Sequence, residues 1–354
     1  MIYLYTPSVV LSTLLPMTPI QLEKISRYRG ELMGAAMLFV LLFHIPLSRH
    51  DPFFGLRRCG NVGVDMFLFL SGVGLWFSWV KQREALAVGM KDALRHFFKN
   101  RYRRVYPAWL IIACLHYIPC YLEGRGYSRN VPDLIANIAF NWSFWRVDDL
   151  TFWYVPAAMM LYCFAPFYME LIRRHPAYRW LPVMMLVWCV MVQWIRPIHG
   201  AVGHLEIFWS RVPIFFIGIN IGQWVKQRHT FDGAAWWFVV LAFAMSLGTC
   251  VYLEQQLHGR FPLTIERWVY IPLTVSGILL LNELFCRAPG WLNRGLRFVG
   301  MVSLEFYLIH VQFVMYKLTP LKLGYWPTAL LTFAISLPLA WLLYKLTSAM
   351  WKKR

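Results

Sequence analysis

The chain has 354 residues, of which 59% are hydrophobic and 15% charged, with a mean hydropathy of +0.48. That balance excludes an ordinary soluble domain and matches a polytopic membrane protein, for which lipid is the main solvent. The 35 Lys+Arg against 17 Asp+Glu give a formal charge of +18. The basic residues are interspersed between apolar segments rather than gathered into a domain, which argues against nucleic acid as a partner.

In chain order, the first twenty residues, "MIYLYTPSVVLSTLLPMTPI", are apolar but lack a basic leading region and a small-residue cleavage site. They make a poor signal peptide. Residues 1–30 are expected to form a loosely ordered cytoplasmic segment, with Met17 as an alternative natural start. Apolar runs then recur, each of roughly 16 to 23 residues, the length that crosses about 30 Å of hydrocarbon at 1.5 Å per residue. Ten are expected, near 32–48, 62–80, 105–122, 151–172, 178–195, 207–225, 234–253, 268–286, 298–318 and 325–346. Their continuity favours helices over a barrel of alternating strands. The predicted fold is therefore all-α: a polytopic membrane helical bundle of about ten transmembrane helices. A single embedded domain is expected over 31–348, with a basic cytoplasmic tail over 349–354.

With the N-terminus inside, Lys and Arg concentrate in the tails and the even-numbered loops; "KQREALAVGMKDALRHFFKNRYRR" (81–104) alone holds eight. This asymmetry predicts that both termini are cytoplasmic. The stretch "VPDLIANIAFNWSFW" (131–145) is too short and polar to span, and is expected on the outer interface. The seven cysteines are scattered, without a CxxC pair, and read as small core residues.

Polar groups inside the spans are few, and each is costly enough in lipid to need a partner or a wet cavity. In "GNVGVDMFLFLSG" (60–72), the glycines read as close-approach positions that let the second helix pack tightly. Asp65 and Ser71, six residues apart, lie about 240° apart around the helix and serve different faces. Asp65 stands near the outer end of its span, where it either orients a basic group such as His44 or is a hydrated interfacial residue. His44 ends the first run. Glu305 and His310, in "SLEFYLIH", are about 140° apart, so at most one points straight into a cavity shared with His44. Glu305 is a candidate orienting carboxylate for a histidine or arginine. His310 has two readings, a substrate contact and a structural residue, since a histidine near a helix end often just bonds a carbonyl. His199 and His204, in "RPIHGAVGHLEIFWSR" (196–211), lack HExxH spacing or a third ligand, and no metal is expected.

Several blocks, in order, resemble the acyltransferase-3 family of bacterial integral membrane O-acyltransferases: "AAMLFVLLFH", "GNVGVDMFLFLSGVGL", "KNRYRRVYPAWL", "TFWYVPAAMMLYCFAPF" and "RFVGMVSLEFYLIHVQF". The resemblance runs from about residue 27 to residue 345. It implies that His44 is the catalytic histidine and that Arg101 and Arg104 form the family's R-x-x-R pair. One departure stands out: the family's arginine eleven positions before that histidine is replaced here by Met33. Arg29 lies one turn earlier and near the same face, about 6 Å deeper. Either Arg29 takes that role or part of the family's chemistry is absent.

The implied reaction is transfer of an acyl group, most simply acetyl, from acetyl-CoA or another acyl-CoA to a hydroxyl of a cell-surface polysaccharide or glycolipid in the inner membrane. No tightly bound cofactor is implied. A hydroxyl needs a general base near neutrality, and histidine suits that task; His44 is the candidate, and a covalent acyl-histidine is a second use of the same residue. Guanidinium pairs with phosphate in two-point geometry, so Arg101 and Arg104 are candidate donor contacts. Basic clusters beside spans also serve as positive-inside signals, and Arg103 is read that way. Trp153 and Tyr154 either line a substrate path or belong to an aromatic belt. Two other classes stay open at this level: a transporter or flippase, although no matching halves with interrupted helices are visible, and an impaired family member acting as a scaffold, for which Met33 is the best argument.

Overall fold

The computed structural model describes residues 18–352; the expectations for residues 1–17 and for the last two residues of the tail fall outside them. The long apolar runs form helices because a helix satisfies its own backbone hydrogen bonds where lipid offers no partners. In chain order they are α1 (Arg29–His44), α2 (Phe54–Cys59), α3 (Val62–Val80), α4 (Met90–Leu122), α5 (Val131–Phe140), α6 (Tyr154–Arg174), α7 (Leu181–Trp194), α8 (Val212–Lys226), α9 (Trp236–Leu257), α10 (Leu263–Arg287), α11 (Gly290–Met301), α12 (Ser303–Ile309) and α13 (Tyr325–Lys352). Two short strands, β1 (Ile20–Gln21) and β2 (Thr230–Phe231), pair antiparallel.

The all-α bundle is as expected, and each of the ten expected runs is helical, but they differ in length and continuity. Among the described residues six helical stretches are long and apolar enough to cross a membrane, or up to eight if each of two bent pairs counts as one span. The bends are 97° between 176–194 and 196–209, and 64° between 290–301 and 303–321. The other two expected spans are α1 and α8, with 16 and 15 residues, which rise only about 24 and 22 Å. Both pack against α3 and are largely buried or half-buried along their length, so a full bilayer length is not required of them.

Burial sorts the helices. In α3 the apolar window is 72% buried, against 17% for α9 and 28% for α13, so α3 is central while α9 and α13 form the apolar rim. The glycines of 60–72 make that central place available. A Cβ on Gly63 would strike the Ala36 carbonyl of α1, and one on Gly72 would strike the Phe215 carbonyl of α8. The two positions let α3 lie backbone to backbone against both short helices.

Cross-contacts define two ends. Tyr325 at the start of α13 donates its hydroxyl to the Leu42 carbonyl at 3.0 Å, so α13 starts beside His44. Arg29 lies against Gly74 on α3 and marks the opposite end. The described part of the N-terminal segment is packed there and not loose: Ile20, Leu22 and Ile25 are 2–4% exposed, and Lys24 pairs with Glu283. Residues 131–145 form short helices with Ile135 61% and Phe140 64% exposed, as expected of a surface-lying segment.

Candidate active site

His44 closes α1, and its environment fixes its tautomer. Nδ1 lies 2.7 Å from the Val40 carbonyl oxygen. A carbonyl can only accept, so in the neutral ring Nδ1 carries the proton and Nε2 keeps its lone pair. The ring is partly buried, which leaves Nε2 reachable. The end of α1 is held by residues from elsewhere: Arg57 donates to the Phe43 and Ile45 carbonyls at 2.8 and 3.0 Å, satisfying acceptors that a helix C-terminus leaves open.

His310, fully buried, meets His44 directly, with ring centroids 5.1 Å apart at 80°. Its Nδ1 donates to the Phe306 and Tyr307 carbonyls at 3.1 and 2.9 Å, which leaves Nε2 as an acceptor 3.5 Å from His44 Nδ1. A turn of π-helix begins at His310, a geometry that often accompanies functional sites. The structure thus brings the two histidines together, while Glu305 faces α4, in line with the angular separation read from the sequence.

Glu305, 0% exposed, orients an arginine and not a histidine. Arg104 makes a two-point fork to it, Nη1 to Oε1 at 2.6 Å and Nη2 to Oε2 at 3.3 Å, and also reaches the Met301 carbonyl. Arg101, three residues earlier, is different. Its guanidinium sits 6.0 Å from the Tyr162 ring centroid, and its buried Nε has no partner among the described residues. Of the R-x-x-R pair, Arg104 is therefore committed to the protein and Arg101 is not.

Arg29 does not join His44. Fifteen residues separate them on one unbroken helix, about 22 Å along its axis. Its Nε donates to the Leu70 carbonyl at 3.3 Å, and it lies in electrostatic reach of Arg101, Tyr154 and Tyr162. Gly74 makes the room, since a Cβ there would stand 3.2 Å from Arg29 Nη2. Arg29 and Arg101 thus gather two guanidiniums with no carboxylate partner among the described residues.

Asp65 is neither hydrated nor directed at His44. It is 1% exposed, and its basic neighbour is Arg211, also 1% exposed, at 3.6 Å. Arg211 further donates to Asn61 Oδ1 at 3.0 Å and sits 5.1 Å from the Trp153 ring centroid. Trp153 is 9% exposed, so it lies inside the bundle and not in an aromatic belt. The Tyr154 amide donates to the Tyr307 hydroxyl at 3.3 Å, its side chain meets Ser71, and Tyr307 continues to His310, ring to ring at 6.1 Å. These aromatic contacts connect the Arg29–Arg101 region with the histidine pair. His199 and His204 each bond a different backbone carbonyl, of Val192 and Trp145.

The sequence reading missed Arg57 and Arg211. The available signal was weak: a charge directly before an apolar run in "WSRVPIFF", and the doublet in "GLRRCG".

The family model described as an acyltransferase domain, acyltransferase-3, matches residues 34–345. That range contains His44, Asp65, Arg101, Arg104, Trp153, Tyr154, Glu305 and His310, while Arg29 precedes it. No curated protein and no solved structure matches the chain. A match over most of the length, on a bundle of apolar helices, decides against the transporter reading: the chain belongs to the acyltransferase-3 family and is a membrane acyltransferase.

Proposed function

We propose that this acyltransferase moves an acetyl group from acetyl-CoA to a hydroxyl of a cell-surface polysaccharide or glycolipid, in the bacterial inner membrane, with the Arg29 end facing the cytoplasm. The observation that carries this reading is the reachable, unprotonated Nε2 of His44, fixed by the bond from Nδ1 to the Val40 carbonyl. In this scheme Nε2 takes the proton of the acceptor hydroxyl while that oxygen attacks the thioester carbonyl carbon. The C–S bond breaks, the new ester forms, and the imidazolium returns the proton to the leaving thiolate to give CoA–SH. Charge that develops on His44 is moderated by the Val40 carbonyl and by Nε2 of His310, both acceptors.

Arg29 and Arg101, uncompensated and adjacent, suit the phosphates of the donor, because a guanidinium without a carboxylate partner is free to pair with one. Glu305 and Arg104 hold α12 against α4 and so position His310. Both termini are cytoplasmic in this arrangement.

The test is acetate released by mild base from the surface glycan of cells carrying wild type or His44→Ala at matched membrane levels. A general base contributes about 10²- to 10⁴-fold, so the variant is expected to release no acetate above background. Wild-type acetate from His44→Ala overturns the assignment.

A further inference from the structure

At the Arg29 end, α3, α6 and α8 surround a cavity of about 380 Å³ whose lining includes Trp76, Arg173, Arg179, Lys226 and Glu84. Trp76 is 3% exposed, yet its indole N–H has no hydrogen-bond partner among the described residues; the buried Nε of Arg179 has none either. Native proteins seldom leave buried polar groups unsatisfied. Both orphan atoms are donors, and no orphan acceptor belongs to this lining. An accepting group, such as a phosphate oxygen, would complete both.

The charge points the same way. Arg173 is committed to Glu170, which also holds Arg83 and Arg174, and Glu84 in the lining also acts on Arg173, so three guanidiniums share two carboxylates beside the cavity and Arg179 and Lys226 remain in excess. Lys226 and Arg179 have no ion pair among the described residues. A second cavity of about 570 Å³ shares Lys226, passes Lys81, Phe77 and Ser78, and reaches Gly74, the glycine against which Arg29 lies. Lys226 and Lys81 thus stand, without an ion pair among the described residues, between the Trp76 cavity and the Gly74 wall that Arg29 packs on.

We infer that the cavity bounded by Trp76, Arg179 and Lys226 is a phosphate subsite that takes the 3′-phosphorylated nucleotide end of a CoA thioester. The inference rests on the acyl-CoA donor proposed above. The thioester arm then runs along the second cavity past Arg29 toward Tyr154 and the histidines. Trp76 and Arg179 supply oriented donors to the phosphate, and Lys226, exposed at the rim, supplies charge.

The test is equilibrium binding of radiolabelled acetyl-CoA and acetyl-dephospho-CoA to the full chain in nanodiscs of neutral lipid. Wild type is expected to bind acetyl-CoA about tenfold or more tightly than the analogue lacking the 3′-phosphate. Lys226→Ala and Arg179→Gln are expected to weaken acetyl-CoA about tenfold, with little change for the analogue, so that the preference disappears. Lys226→Ala removes an exposed head group, and an unaltered melting temperature separates lost binding from lost folding. Unchanged affinity in both variants, equal losses for both ligands, or no wild-type preference overturns the subsite. The same titration in phosphatidylglycerol nanodiscs identifies a lipid headgroup as occupant instead: anionic lipid retained by wild type and lost by the variants, with acetyl-CoA binding unchanged, overturns the nucleotide assignment. Wild type that binds no acetyl-CoA at all is the separate failure of the donor reading itself.

Discussion

The two ends of the bundle treat their cations differently. Around His44 the guanidiniums have a carboxylate or carbonyl close by: Arg211 lies beside Asp65, Arg267 beside Glu266, Arg58 bonds Glu254 at 3.0 Å, and Arg57 caps the carbonyls of α1, although Nε of Arg57, Arg211 and Arg267 has no hydrogen-bond partner among the described residues. Around Arg29 the cations divide: Lys24 pairs with Glu283 and three arginines share Glu170, whereas Arg29, Arg101, Lys81 and Lys226 have no ion pair among the described residues. A guanidinium with its own carboxylate serves the fold, because separating the pair strands a charge in a poor solvent. One without a partner is available to an anionic ligand. The contrast repeats within a single turn of α4, where Arg104 forks onto Glu305 and Arg101 Nε has no partner.

The largest expected effect lies at the histidine pair. His44→Ala is expected to lower acyl transfer by about 10²- to 10⁴-fold while the protein stays folded, measured as label moved from acetyl-CoA to glycan in isolated membranes. Asp65→Ala tests the compensated end: it leaves Arg211 buried without its carboxylate and is expected to cost about 3–5 kcal/mol of stability, read as a lower melting temperature in detergent. The double variant Asp65→Leu/Arg211→Met is expected to recover most of that loss; if Asp65→Ala melts like wild type, the pair is not holding the fold. Gly72→Ala drives a methyl into the Phe215 carbonyl and is expected to cost about 1–3 kcal/mol without a selective effect on donor affinity. The smallest effect is expected from His310→Asn. Because Val40 still fixes Nδ1 of His44, kcat should fall only about tenfold, about 1.4 kcal/mol, with donor affinity unchanged. A loss confined to donor affinity contradicts its positioning role.

Much of the fold was legible because apolar run length reports directly on helices in lipid. All ten runs have helical counterparts, and the close-approach glycines of α3 met α1 and α8 as read. What the run lengths could not reveal was which helices are interior. α1 and α8 are short and largely buried or half-buried against α3, and the bend after Met301 breaks another run. At the site, His44 and the R-x-x-R spacing were visible as local patterns. The partners were not: Asp65 and Arg211, or Arg104 and Glu305, are joined by packing between helices far apart in sequence, and no local period encodes such a pairing. For Arg29 the axial separation of about 22 Å follows from spacing alone, but its neighbours on α3, the Leu70 carbonyl and Gly74, are set by packing and carry no local signal.

The central claim is that uncompensated arginines hold the donor while paired ones hold the fold. The most direct measurement is acetyl-CoA binding and melting temperature for Arg101→Ala beside Arg104→Ala in the same purified protein. Arg101→Ala is expected to weaken acetyl-CoA binding about tenfold to a hundredfold with little change in melting, whereas Arg104→Ala, which strands the fully buried Glu305, is expected to lower the melting temperature clearly. Equal effects of the two substitutions on both readouts, or the reverse assignment, would contradict the account.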